Sequence, residues 1–426
     1  MLRIKPLPKI RLRRHSRGMT ESENEGRAGK HSAAEAKQIK ISTEPKPVAM
    51  RWLCEGREIF PSMLEAIAAA KISINLETYI YTNGRIGGQF LAALTTAAAR
   101  GVKVQVLVDA IGSWLLPEDF FSPLVAKGGE VRRFNPIHPL RFGVRDHRKL
   151  LICDGAVIFI GGFNMADEYD GDGITCGWCD LGLQIHSHEL AGELGDSFAE
   201  LFAISRFKQN SWQQLKAFRH RRKIKAGQTR ELLLAQPGRG ASPFQMALYR
   251  DLREARSVRI TSPYFLPTHR LRRELTRAAR RGARVQLVLA GKSDVLISQL
   301  AARSLYRRLL KAGIEIYEYQ PQILHTKLVC IDEAVYVGSS NFDIRSLNLN
   351  YEFMLRLGQP SVVAEAGEIF ERLVRQSNKI EPATWQKSQT LWQRWKNHWA
   401  HFLLTRIDPF VALQHSRTLK MFHFRK

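Results

Sequence analysis

Two short stretches of this chain carry residues that could do chemistry on phosphorus. The first reads His147-Arg-Lys149-Leu-Leu-Ile-Cys-Asp154, then Gly161-Gly162-Phe-Asn164. The second reads His325-Thr-Lys327-Leu-Val-Cys-Ile-Asp332, then Gly338-Ser339-Ser-Asn341. Residues two apart on a strand project to one side, so each His and its Lys point into a common space. A neutral imidazole beside an ammonium suits a phosphodiester: the imidazole attacks phosphorus and the cations stabilise charge on the non-bridging oxygens. Asn164, Ser339 and Asn341 offer neutral donors to the same oxygens, as phosphate-binding residues. With two lysines supplying positive charge, neither a metal nor a cofactor is implied. Asp154 and Asp332 complete the two motifs. Five residues beyond each Lys, they end the motif strand and read as structural members of the catalytic motif. One His-x-Lys pair arises easily by chance; two with matched Asp and Gly-x-x-Asn spacing do not.

The elements that must position these residues also come twice. In the first half, 61–70 reads as a helix, 72–81 alternates like a strand, 85–100 is helical up to Gly101, and 102–108 is a buried strand. In the second half, 258–265 is a strand, 268–281 a helix ended by Gly282, and 284–289 a strand. Strand–helix–strand order points to a parallel or mixed α/β sheet. Gly101 and Gly282 are 181 residues apart and His147 and His325 are 178 apart, so the chain holds an internal duplication with small insertions. The expected organisation is a disordered basic extension (1–49), a first domain (50–205), a basic linker (206–232), a second domain (233–378) and a Trp-rich amphipathic segment (379–426).

The composition sets limits. Hydrophobic residues make up 44% and charged ones 25%, as in a globular protein, and the net charge is +25. Such a charge fits nucleic acid, an anionic membrane surface or an acidic substrate. No apolar stretch approaches the roughly 18–20 residues that span a bilayer, and the basic N-terminus lacks the apolar core of a signal peptide. The catalytic domains are therefore expected to face the cytoplasm. Five scattered cysteines suit a reducing compartment, and Cys176-x-x-Cys179, without a second Cys or His pair, reads as incidental.

The paired motifs resemble the phospholipase D superfamily, from about residue 50 to about residue 377. More narrowly, Asn341-Phe-Asp343-Ile-Arg345-Ser346-Leu-Asn348-Leu-Asn350-Tyr-Glu352 and Leu76-Glu77-Thr78-Tyr79-Ile80 resemble bacterial cardiolipin synthases, most like those of the B type. The resemblance implies two duplicated α/β domains, each a mixed sheet flanked by helices, with pseudo-two-fold symmetry and one active site at their interface. It implies that one His is the nucleophile, forming a phosphohistidine, and that the other protonates the leaving alkoxide; His147 is expected as nucleophile and His325 as general acid, then base. It also implies a carboxylate behind each His, by position Asp180 and Glu352, with Glu352 expected to hold His325. For Asp180 the orienting role is preferred to the alternative of a strand cap. Glu77 stands between a polar strand-end residue and a substrate-pocket group; it lacks an acidic counterpart in the second half, where Pro263-Tyr264 stands.

The activity so implied is transfer of a phosphatidyl group between two phosphatidylglycerol molecules, giving cardiolipin and glycerol. Hydrolysis by water is the first alternative, and a phospholipase D-type nuclease the second. The expected partners are phosphatidylglycerol and an anionic membrane surface, with no nucleic acid and no obligate protein partner. The expected location is the cytoplasmic face of a bacterial inner membrane, as a peripheral protein. Trp385, Trp392, Trp395, Trp399 and Phe402 are spaced to share one helix face, among basic residues, as an interfacial helix requires. The competing reading packs that stripe into the second domain as core.

Overall fold

In a computed structural model, residues 49–135, 143–205, 230–237 and 240–407 are described. The expected extension apart from Ala49, most of the linker and the last part of the C-terminal segment lie outside them. The first half forms a seven-stranded sheet from β1 (Ala49–Leu53), β2 (Ser73–Thr78), β3 (Lys103–Asp109), β4 (Glu130–Phe134), β5 (Leu150–Cys153), β6 (Val157–Gly161) and β7 (Gly182–His186). The second half contributes β8 (Arg230–Ala235), β9 (Ser257–Ser262), β10 (Arg284–Ala290), β11 (Glu315–Tyr319), β12 (Leu328–Ile331), β13 (Ala334–Gly338), β14 (Glu352–Leu357) and β15 (Ser377–Lys379).

The strand orders are β1-β7-β6-β5-β2-β3-β4 and β8-β14-β13-β12-β9-β10-β11-β15. They superpose strand for strand, β15 being one added edge. In each half the three strands that alternate with helices run parallel, and the motif strand joins them antiparallel. The duplication read from the sequence is thus a duplication of the whole sheet.

Period-two alternation explains how the halves join. Leu150 and Ile152 of β5, with Leu328 and Cys330 of β12, enter one core shared by both halves. The helices His188–Ile204 and Pro360–Arg375 bury Leu194, Phe198, Ile369 and Phe370 in the same core. Their strand neighbours Leu151 and Cys153, or Val329 and Ile331, face outward onto separate cores under the outer helices. The motif strands are therefore buried on both faces, which fixes what precedes them.

The C-terminal segment departs from a single helix. Pro382–Ser388 and Leu391–Phe402 are two helices, and the second starts from a capping box in which Thr390 accepts from the Gln393 amide. The break takes Trp385 out of the stripe: its ring packs 5.0 Å from Tyr306 at the second-half core. The other four aromatics face outward. Among the described residues no helix is long and apolar enough to cross a membrane.

Candidate active site

His147 and Lys149 stand in the extended segment just before β5, and His325 and Lys327 just before β12. Neither segment belongs to its own sheet. Each is tied to the opposite half: the His147 amide donates to Tyr351 O at 3.0 Å, and the His325 amide to Cys179 O at 2.7 Å. Two short parallel bridges, Asp146 with Tyr351 and Cys179 with Leu324, record the same exchange.

The exchange sets the pairing of histidines and carboxylates. Glu352 follows Tyr351, and its Oε1 lies 2.9 Å from His147 Nδ1. This is ion-pair distance without hydrogen-bond alignment, since neither atom makes a hydrogen bond among the described residues. Asp180 follows Cys179, and its Oδ2 lies 2.6 Å from His325 Nδ1. The expectation that Glu352 holds His325 is corrected: each carboxylate serves the histidine of the other half. The physical reason is the crossed backbone bridge, which carries each carboxylate past the duplication boundary. Asp180 is fully buried against His325, so it does more than cap a strand.

One environment surrounds both motifs. Burial, then Lys149 and Lys327, push His147 well below the ordinary imidazole range. Burial and Lys327 bring His325 down to about 4, against the pull of Asp180. Burial lowers Lys149 to about 7 and raises Glu352 to about 8. Each histidine feels both lysines, so the two motifs form a single centre. Neutral imidazoles with Nδ1 turned to a carboxylate keep Nε2 on the far side of the ring for chemistry, and at His325 the Lys327 Nζ lies 3.2 Å from it. Lys327 Nζ donates to His325 O at 2.5 Å and Lys149 Nζ to His147 O at 2.7 Å, which holds both ammonium groups beside the rings.

Three expected phosphate donors fare differently. Asn164 spends part of its amide within the protein: Oδ1 accepts from the Ile80 amide at 3.0 Å, and Nδ2 donates to Tyr169 at 2.7 Å. The Ser339 hydroxyl donates to Glu352 Oε2 at 2.5 Å. Ser339, whose one donor is spent, is therefore corrected to a support of the site, while Asn164 keeps a second Nδ2 proton beyond its bond to Tyr169. Ser339 has Gly162 as its counterpart, where a Cβ would meet Asp180 Oδ1 at 2.1 Å. Only the second half has room there for a hydroxyl. Asn341 is buried and its Oδ1 has no hydrogen-bond partner among the described residues.

Asp154 and Asp332 lie away from the rings. Asp154 accepts from the amides of Lys71, Ile72 and Ser73 at 2.9, 2.7 and 3.0 Å, and Asp332 from those of Arg256 and Ser257. Both have left-handed backbone, φ 52° and 46°, at the hairpin after the motif strand. Through these bonds they clamp the starts of β2 and β9.

Glu77 is corrected. It stands in register with Leu150 and Leu107, whose side chains enter the shared core, so it points away from His147 and Lys149. There it meets Arg148, whose Nε donates to Glu77 Oε1 at 2.7 Å and whose Nη1 donates to Ser197 at 2.7 Å. Ladder register makes Thr261 its second-half counterpart, two residues earlier than Pro263. The rings around the histidines were not singled out by sequence reasoning. Tyr79 lies 4.9 Å from His147, while Tyr169, Trp178 and Tyr264 lie 5.2, 5.6 and 6.5 Å from His325. The signal available was their place in the sequence, Tyr79 two residues from Glu77 and Trp178 two residues from Asp180.

A duplicated mixed sheet that meets at two cross-braced His-Lys pairs defines the phospholipase D-like class. The family described as cardiolipin synthase, PLD-like domain, matches residues 63–202 and 248–374. Cardiolipin synthase 1 of Bacillus cereus is 33% identical over 347 residues, covering 79% of this chain and 68% of that protein. Cardiolipin synthase B of Escherichia coli K12 is 33% identical over 322 residues, covering 70% and 73%. The crystal structure of Haemophilus influenzae phosphatidylserine synthase shares the fold, with TM-score 0.68 at 15% identity over 85% of this chain and 94% of that one. The chain belongs to the cardiolipin synthase family of phospholipase D-like proteins.

Proposed function

We propose that the protein transfers a phosphatidyl group from one phosphatidylglycerol to a hydroxyl of a second, giving cardiolipin and glycerol, at the cytoplasmic face of a bacterial inner membrane. The observation that carries this reading is the crossed brace, Glu352 on His147 and Asp180 on His325. Two equivalent histidines would give two half-sites; two cross-braced ones around shared lysines give one site with two roles. Family membership supports the choice of a phosphatidyl donor.

His147 Nε2 attacks phosphorus, and a phosphorus–nitrogen bond forms as the bond to the glycerol oxygen breaks. His325 gives that oxygen a proton from Nε2, and glycerol leaves. His325 then takes the proton of the incoming hydroxyl, whose oxygen displaces His147 and restores the starting enzyme. Glu352 stabilises the imidazolium that forms on His147, as Asp180 does on His325. Lys149, Lys327 and Asn341 face the non-bridging oxygens. An anionic phosphate entering this buried centre raises the lowered lysines and His325 toward their charged forms.

The test is product analysis after the protein meets phosphatidylglycerol vesicles. Cardiolipin and glycerol in equal amounts are expected. Phosphatidic acid as the main product would replace transfer by hydrolysis, and no lipid product would overturn the reading.

A further inference from the structure

The duplication leaves matched apolar residues exposed in both halves. Trp114-Leu115 follows β3 and Val295-Leu296 follows β10, 181 residues apart, the offset that also separates Gly101 and Gly282. Trp114 and Leu115 are 66% and 74% exposed, Val295 and Leu296 37% and 64%. Each pair sits beside a group that supports a ring at the active site. Ser113 donates to Tyr79 O, and the Tyr79 ring lies against His147. Asp294 accepts from the Tyr264 hydroxyl, and that ring faces His325. The two exposed pairs therefore flank the site.

Leu296 also begins the helix Leu296–Lys311, against which the helix Leu391–Phe402 packs, Ala400 meeting Ala301 and Leu266. The outward face of the second helix carries Trp392, Trp395, Trp399 and Phe402, each at least half exposed. Trp392 and Trp395 stack at 4.8 Å, with Lys396 over Trp392 at 5.2 Å. Residues 296–311 and 382–407 together hold eight Lys/Arg and no Asp or Glu. Aromatic rings that leave water for headgroup depth, on helices where cations outnumber acids although Arg303 is paired with Glu318, complement an anionic bilayer. They do not complement a second copy of themselves, whose cations would repel.

We propose that Trp392, Trp395, Trp399 and Phe402, with the loop pairs Trp114-Leu115 and Val295-Leu296, dock the mouth of the site on an anionic lipid bilayer. The inference rests on the lipid reading of the site above. Docking there lets a phospholipid headgroup reach the buried lysines while its chains stay in the membrane.

The test uses the full chain with mixed phosphatidylglycerol–phosphatidylcholine vesicles. The triple variant Trp395→Ser/Trp399→Ser/Phe402→Ser and the loop variant Leu115→Ser/Leu296→Ser should each lower vesicle partitioning by roughly tenfold or more. The triple variant should turn over a short-chain, monomeric phosphatidylglycerol at the wild-type rate. Wild-type partitioning by the triple variant, with cardiolipin still formed, would overturn the docking and leave the function intact. Vesicle binding by the wild type without lipid turnover would sink the function and leave the docking standing. A wild-type dimer that the triple variant breaks, without loss of vesicle binding, would assign the face to a second copy and overturn the proposal.

Discussion

Replacing Glu352 with Gln and, separately, Asp180 with Asn should damage different parts of one chemical step. Above about pH 8, where Glu352 is ionised, each change removes a carboxylate charge that faces an imidazole nitrogen, at 2.9 Å for Glu352 and 2.6 Å for Asp180. A unit pair at about 4 Å is worth roughly 4 kcal/mol at an effective dielectric near 20. The amide keeps a hydrogen-bond acceptor and the two lysines screen the charge, so about 3–4 kcal/mol of transition-state stabilisation should go. That is a loss of about 10²–10³ in the rate of the first turnover. The assay is the first-turnover release of an aryl alcohol from an activated phosphatidyl ester, compared with release of glycerol from phosphatidylglycerol. An aryl leaving group needs little help from an acid, so Asp180→Asn should recover to within about tenfold of wild type. Glu352→Gln should not recover, because it weakens the nucleophile. The opposite pattern would make His325 the nucleophile, and equal recovery of both would refute the crossed brace.

Three further outcomes follow from the same geometry. His325, held at about 4, refuses a proton that the unfolded chain takes below about pH 6.5, so this residue lowers stability as pH falls. The wild-type unfolding free energy, measured by urea relative to His325→Gln, should drop by about 2 kcal/mol from pH 7 to pH 5; the Glu352→Gln comparison should move the other way, since a carboxyl raised to about 8 binds its proton more tightly when folded. Asp154→Ala and Asp332→Ala should each cost about 2–3 kcal/mol in denaturant unfolding, with kcat of the folded protein unchanged, because they lose strand clamps and strain a left-handed turn. Glu77→Gln should cost about 2 kcal/mol by leaving Arg148 only Asp146 as a buried counter-charge, without changing the preference for acceptor alcohol; altered preference at unchanged stability would return Glu77 to the pocket.

Motif spacing and the repeated strand–helix–strand order were enough to read the duplicated sheet, because both follow from local periodicity. The crossed brace was not legible. Asp180 and Glu352 could be placed by position, but which histidine each meets depends on a backbone bridge between segments that lie 145 residues apart at His325 and Asp180. Ser339 and Asn164 looked like phosphate donors because their types suit the task. Packing commits the Ser339 hydroxyl to Glu352 and part of the Asn164 amide to Ile80 and Tyr169, which only the three-dimensional neighbours reveal. Glu77 was ambiguous for a different reason. Its face follows from the pleat, which can be read only once the register with Leu150 is known. The aromatic stripe was legible except for Trp385, which Ser388, Gln389 and the Thr390 cap separate from the helix that carries the others.

The most direct test of an asymmetric centre with His147 as nucleophile is to trap the intermediate. His325→Ala, mixed with a phosphatidyl ester bearing an activated aryl leaving group and quenched at high pH, should carry an acid-labile phosphatidyl group on the peptide containing His147, found by mass spectrometry. His147→Ala should carry none. A phosphatidyl group on His325 in the His147 variant, or none on His147 in the His325 variant, would contradict the account.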